Sequence, residues 1–161
     1  MKTHLRKVSF AVLVLSLVTS VSMADGLKTT FGKVDLGNVP MDTEYSMRKD
    51  AKFPLVVESK NDYGIQLKVE VVKPLPGEVQ EGYEAIPDAG WITLEKDFFT
   101  LEPFGKAETD IKIKIPKDKK YAGKKYHVFI WSHVIGESLG FGVNSKLLIN
   151  VSNDDTENVA K

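Results

Sequence analysis

The stretch Ile65-Gln66-Leu67-Lys68-Val69-Glu70-Val71 puts four aliphatic side chains at every second position and Gln66, Lys68 and Glu70 between them. A period of two is the repeat of an extended strand with one face buried and the other wet. A second stretch, Ile111-Lys112-Ile113-Lys114-Ile115, has the same period and stops at Pro116. No segment of comparable length carries apolar residues at the three-to-four spacing of an amphipathic helix.

Working outward, turn residues divide the chain into similar short pieces. Thr29 to Leu36 alternates weakly and is followed by Gly37-Asn38 and Pro40; Phe53 to Glu58 is closed by Lys60-Asn61-Asp62 and Gly64. Pro74, Pro76 and Gly77 end the clearest strand, and an acidic loop with Glu78, Glu81, Glu84 and Asp88 leads to Trp91-Ile92-Thr93-Leu94. Phe98 to Leu101, Tyr126 to Ile135 and Ser145 to Val151 complete the set, the last two joined through Gly136, Gly140 and Gly142. Seven or eight such strands without helices predict an all-β, antiparallel β-sandwich, with an up-and-down barrel as the alternative.

The N-terminus reads as an export signal. Lys2, Arg6 and Lys7 precede an apolar run from Val8 to Val21, and Ser22-Met23-Ala24 offers small residues at the spacing signal peptidase requires. Residues 1–24 are therefore expected to be a cleaved secretory signal peptide, 25–152 the sandwich domain and 153–161 a polar, disordered tail. The apolar run is short against the roughly 20 residues needed to cross a bilayer, so no membrane insertion is expected after cleavage. Without the leader, 19 basic residues face 22 acidic ones, a mild acidity that speaks against nucleic acid as a partner. The chain has no Cys, which excludes disulfides, thiolate catalysis and Cys-ligated metal centres.

From about Phe53 to Ser152 the order of motifs resembles the immunoglobulin-like or fibronectin-III-like sandwich domains of exported bacterial proteins. The resemblance rests on Trp91 opening a strand, Phe99-Thr100-Leu101-Glu102-Pro103-Phe104-Gly105, Ile111-Lys112-Ile113-Lys114-Ile115-Pro116, and Tyr121-Ala122-Gly123-Lys124-Lys125-Tyr126. It implies structural roles for Trp91, Gly123 and Tyr126, the last as a tyrosine corner whose hydroxyl bonds back to the upstream loop. Val128 stands where antibody-type domains carry a cysteine. Such a resemblance implies architecture and leaves function open among adhesins, chaperones, sugar-binding modules and spacers.

Catalytic chemistry finds little support. Only His127 and His133 follow the leader, and on one regular strand they stand about 20 Å apart, too far to share a metal. No nucleophile motif, phosphate-cradling glycine loop or paired carboxylate spacing is present, so no enzyme activity, cofactor or metal is expected. The acidic loop between Gly77 and Asp88 and the tail around Asp154, Asp155 and Glu157 could offer oxygen ligands to calcium, but both read as solvated charge.

The segment Tyr126 to Ile135 is the unusual one. Tyr126, Val128, Ile130 and Val134 form one face, while His127, Phe129, Trp131, His133 and Ile135 make the other largely aromatic. Either a central strand has its second face covered by the long 74–90 loop, with Tyr83 and Ile86 as cover, or Trp131, Phe129, His127 and His133 form an exposed binding patch. The function expected is a non-catalytic extracytoplasmic module, periplasmic or secreted, that contacts another exported or cell-envelope protein. The alternatives are a carbohydrate-binding module using the aromatic strand face and a pilus-chaperone-like edge-strand binder. N-terminal sequencing of the exported protein is expected to begin at Asp25; a mature chain that still starts at Met1 contradicts the leader.

Overall fold

The computed structural model describes residues 26–136 and 140–153; the expected leader and most of the tail lie outside them. Twelve strands and two short 3-10 turns, Ala89–Trp91 and Lys119–Tyr121, make up the described chain. The strands are β1 (Leu27–Thr29), β2 (Lys33–Val39), β3 (Tyr45–Ser46), β4 (Leu55–Ser59), β5 (Ile65–Val72), β6 (Glu84–Ala85), β7 (Ile92–Leu94), β8 (Phe98–Leu101), β9 (Lys106–Thr109), β10 (Ile111–Ile113), β11 (Lys125–Ile135) and β12 (Gly142–Val151). One layer is a six-stranded sheet in the order β2-β12-β11-β5-β8, with β6 beside the start of β11. The facing layer consists of β1-β4-β9 and β3-β10-β7. The chain is all-β, and antiparallel pairing dominates; β2 joins β12 and β6 joins β11 in parallel.

The count exceeds the seven or eight expected because several strands are only two or three residues long. β3 and β6 are too short to show a period, and in β9 (Lys106-Ala107-Glu108-Thr109) the inward positions are Ala107 and Thr109, a weak apolar signal. The first expected strand is divided. β1 pairs with β4 in one layer, and the chain then crosses at Phe31-Gly32 so that β2 pairs with β12 in the other. Gly37-Asn38, read as the end of a strand, is a bulge within β2. Leu36 lies opposite Ile149 and Val39 opposite Val151, so two residues of β2 face Asn150 alone. Asn38 takes φ 55° there, a left-handed conformation that Asn tolerates better than most residues.

The predicted alternation explains the core. Ile65, Leu67 and Val69 from β5, Val128, Ile130 and Val134 from β11, and Ile111, Ile113 and Ile115 across the sandwich are all buried. Gln66 and Glu70 face solvent, as do Lys106 and Glu108 on the other layer.

Trp91 belongs to the last turn before β7 rather than to the strand itself. Its ring packs edge-on against Tyr121 and Tyr126, with centroids 4.8 and 5.9 Å away. Tyr126 is buried through this aromatic packing, and the expected hydroxyl bond to the upstream loop is not among its contacts in the described residues. Gly123 adopts φ +67°, a left-handed conformation that strains a side-chain-bearing residue, and a Cβ there would also displace the end of the Asn153 side chain.

Asp110, at the break between β9 and β10, is a buried carboxylate that accepts hydrogen bonds from Ser46 Oγ (2.6 Å) and the Arg48 N–H (2.9 Å). Those bonds fix the 47–54 turn between β3 and β4. Ile130→Ala, which opens a cavity at the centre of β11, is expected to cost about 2–5 kcal/mol in urea unfolding. Phe104→Ser, at an exposed turn, should stay within about 0.5 kcal/mol of the parent.

Candidate functional site

β11 has a strand on each edge, so its two faces are fixed by the pleat. Tyr126, Val128, Ile130 and Val134 enter the core together with Ser132. His127, Phe129, Trp131, His133 and Ile135 point outward as the sequence indicates. The register places Leu148 beside His127, Lys146 beside Phe129, Asn144 beside Trp131 and Gly142 beside His133 on β12. On β5, Val72 lies beside Phe129, Glu70 beside Trp131 and Lys68 beside His133.

This outer face has a covered end and an open end. At the covered end the segment 74–83 crosses the sheet as a strap. The Gln80 backbone N–H donates to His127 Nδ1 at 3.1 Å, Lys146 Nζ donates to Gln80 Oε1 at 3.2 Å, and the Tyr83 hydroxyl donates to Asp35 at 2.9 Å on β2. Asn150 donates in turn to Asp35 and to the Leu36 carbonyl. Under the strap His127 and Leu148 are buried. The long loop thus covers one half of the face. Of its two expected cover residues, Tyr83 lies over the face with Lys125 Nζ above its ring, whereas Ile86 turns into the main core. Gln80, not singled out from the sequence, supplies the hydrogen bond to His127. One trace was visible: Leu147-Leu148-Ile149 breaks the alternation of the last strand, as a strand buried on both faces must.

His127 accepts through Nδ1, so its neutral form carries the proton on Nε2, which is buried without a hydrogen-bond partner. A polar hydrogen sealed from water in this way costs about 1–3 kcal/mol. Burial, and secondarily the Lys146 ammonium, push the His127 pKa below its ordinary value, with Glu78 opposing. The ring also meets Phe129 edge-on, centroids 4.5 Å apart.

At the open end Phe129, Trp131, His133 and Ile135 are half-buried. The Trp131 ring leans across Gly142: a Cβ at that position would lie 2.7 Å from the outer edge of the indole. Trp131 and His133 stack, interplanar angle 17° and centroids 5.8 Å apart. His133 Nε2 is 2.9 Å from Glu70 Oε2, which holds the imidazole in place. Exposed Val72 extends the apolar strip onto β5 beside Phe129; Phe98 on β8 is also exposed but lies beyond Lys68, which is paired with Asp97.

The structure therefore brings Phe129, Trp131 and His133 into one open patch and buries His127, which meets the patch edge-on through Phe129. Among the described residues no three His, Asp or Glu side chains cluster as a metal site would require. A groove of about 420 Å³ between β5 and β7, lined by Glu70, Leu94 and Asp97 among others, is open and shallow. Lys68 holds the Asp97 carboxyl below its usual range, the opposite of what a general acid needs.

No protein-family model matches the sequence, and no curated protein matches it. Solved structures do. An ASH/PapD-like domain of human CEP192 superposes with a TM-score of 0.59 at 11% identity, over 90% of this chain and 99% of that one. The fold is an immunoglobulin-like β-sandwich, as in this PapD-like neighbour. The class 5 fimbriae chaperone CfaA matches at TM-score 0.52 and 14% identity over 80% of this chain, which spans 57% of the chaperone's length. A candidate carbohydrate-binding protein from Bacteroides ovatus matches at 0.53 and 13%, over 78% of this chain and 37% of that one. The likeness is thus to PapD-like domains rather than to fibronectin-III domains in particular, and at these identities it shows the fold alone.

Gly142→Ala should displace the indole, so acrylamide is expected to quench tryptophan fluorescence more strongly in that variant than in the parent. Trp91, buried in the core, supplies a constant background.

Proposed function

We propose that this chain is a non-catalytic, extracytoplasmic binding module that engages another exported or cell-envelope protein through the open half of its outer sheet face. The observation that carries this reading is the strip Val72-Phe129-Trp131, bordered by Lys68, Glu70 and Lys146, with exposed Phe98 beyond Lys68. An apolar, aromatic centre inside a charged rim is the composition of a protein–protein contact, with tryptophan its commonest anchor. The basic, apolar leader supplies the address.

The nearby polar groups fit binding better than catalysis. Asp97 is neutralised by Lys68 and Glu70 is engaged by His133, so these carboxylates orient side chains. The chaperone-like alternative finds less support. Residues 146–149 of β12 are paired on both edges, by β11 and by β2, so an edge-strand binder would have to use β2 or β8, which end the sheet.

A second reading has its own observation. An indole lying across a glycine, stacked with a histidine that a carboxylate orients, is a platform for the apolar face of a sugar ring. The two are separated by affinity capture from the native envelope with parent and Trp131→Ser proteins, then titration of purified partner or glycan. Protein contact predicts a captured chain that binds directly and loses roughly 30-fold or more in affinity with Trp131→Ser, the loss of a 2 kcal/mol anchor. Binding to purified glycans, with no protein retained, selects the sugar reading. Unchanged partner affinity in Trp131→Ser overturns the assignment of this face.

A further inference from the structure

We propose that His127 is a proton-operated latch on the strap 74–83: neutral, it holds the strap across the outer face, and protonated, it lets the strap go and enlarges the open patch toward Leu148. The inference rests on the reading of the outer face as the binding surface only for its consequence; the latch itself can be tested without any ligand.

The geometry has three parts. The strap meets the sheet at Gln80, whose backbone N–H donates to His127 Nδ1 (3.1 Å) and whose side-chain Oε1 accepts from Lys146 Nζ (3.2 Å); only the first of these bonds depends on the protonation of the histidine. A proton arriving on Nδ1 turns that acceptor into a donor pointing at another donor, so the bond becomes a repulsion. Second, Nε2 already sits in a buried position with no acceptor near it, so the imidazolium would have two N–H groups and a charge without a partner in place. Third, the ring is fully buried; an unpaired charge there is avoided by staying neutral, and once the proton is taken up it is relieved by opening to water.

The groups around the ring agree. On β12 Lys146 faces it and opposes a second positive charge; in the strap Glu78 favours one more weakly. Asp35 on β2 is occupied by Tyr83 and Asn150, Glu84 on β6 is paired with Lys124, and Lys125 on β11 itself lies over the Tyr83 ring. The sign follows. The unfolded or strap-open histidine takes its proton near the ordinary pKa of about 6.5, while the closed form, its pKa lowered, resists until more acid conditions. Closure is therefore fully favoured above about pH 6.5 and is lost progressively as pH falls below it. The Tyr83 bond to Asp35 keeps the segment attached at its end and Lys146 still holds the Gln80 side chain, so release is local to the backbone around Gln80.

Hydrogen–deuterium exchange of the full mature chain at pH 7.5 and 5.0, corrected for the intrinsic pH dependence, reads the strap directly. In the parent, amides of 74–83 should lose protection at pH 5.0 relative to pH 7.5, the direction that the lowered His127 pKa requires, while Val128 to Val134 keep theirs. His127→Asn, whose Oδ1 can replace Nδ1 as acceptor without titrating, should hold the strap equally at both pH values. His127→Phe should leave it open at both. Equal protection of the parent strap at the two pH values overturns the latch, as does a pH response that persists in His127→Asn. If His127→Asn fails to fold, the NMR titration of the His127 ring decides: a midpoint at or above 6.5 in the folded protein overturns it. Loss of the latch leaves the Trp131 face untouched, and loss of partner binding by Trp131→Ser leaves the strap response untouched, so the two readings fail separately.

Discussion

Pairing of β11 on both edges is the constraint from which the rest of the molecule follows. An eleven-residue strand with β12 along one side and β5 then β6 along the other has no freedom to twist out of the sheet or to slip in register. A one-residue slip would send Val128 and Ile130 into solvent and His127 and Phe129 into the core. The apolar set is therefore locked inward, and the outward set is locked just as firmly into a row. What a row of aromatic side chains on the wet side of a sheet requires is cover or a use, and this molecule provides cover at one end only.

That division explains which parts of the architecture were legible in sequence. The strands that carry the core announce themselves through alternation, because burial on one face leaves a clear period in Ile65 to Val71 and Ile111 to Ile115. Elements whose position depends on hydrogen bonding rather than burial do not. Asn38 reads as a turn residue and is a bulge; β6 consists of Glu84 and Ala85 and is a strand only because β11 offers it backbone groups. The sheet switch between β1 and β2 leaves no periodic trace either, since Phe31 and Leu36 simply lie in two different layers.

The outer face was half legible for the same reason. Strand period alone identifies Phe129, Trp131, His127 and His133 as neighbours on one side. It cannot say which of them a loop will cross, because the crossing is decided by a backbone N–H from Gln80 and by a tyrosine hydroxyl reaching Asp35. Neither bond has a spacing signature. The consecutive Leu147, Leu148 and Ile149 are the one sequence trace of the strap, visible because a strand exposed on one side does not afford three apolar residues in a row.

The two histidines on this face show how little residue type decides and how much environment does. His133 has a carboxylate within hydrogen-bonding distance and solvent beside it, and its ring serves to support an indole. His127 has a backbone donor on one nitrogen, no hydrogen-bond partner on the other among the described residues, and a lysine whose charge opposes its protonation. Placed on the same strand by the same pleat, one residue is fastened by an acid and the other is held in a state that acid disrupts. The difference comes from the segment 74–83, whose prolines and glycines, Pro74, Pro76, Gly77 and Gly82, stop β5 and carry the chain over the sheet instead of along it. A sandwich shared by proteins of many functions thus acquires its own chemistry here from a loop, while the strands beneath do no more than present the side chains it covers or leaves open.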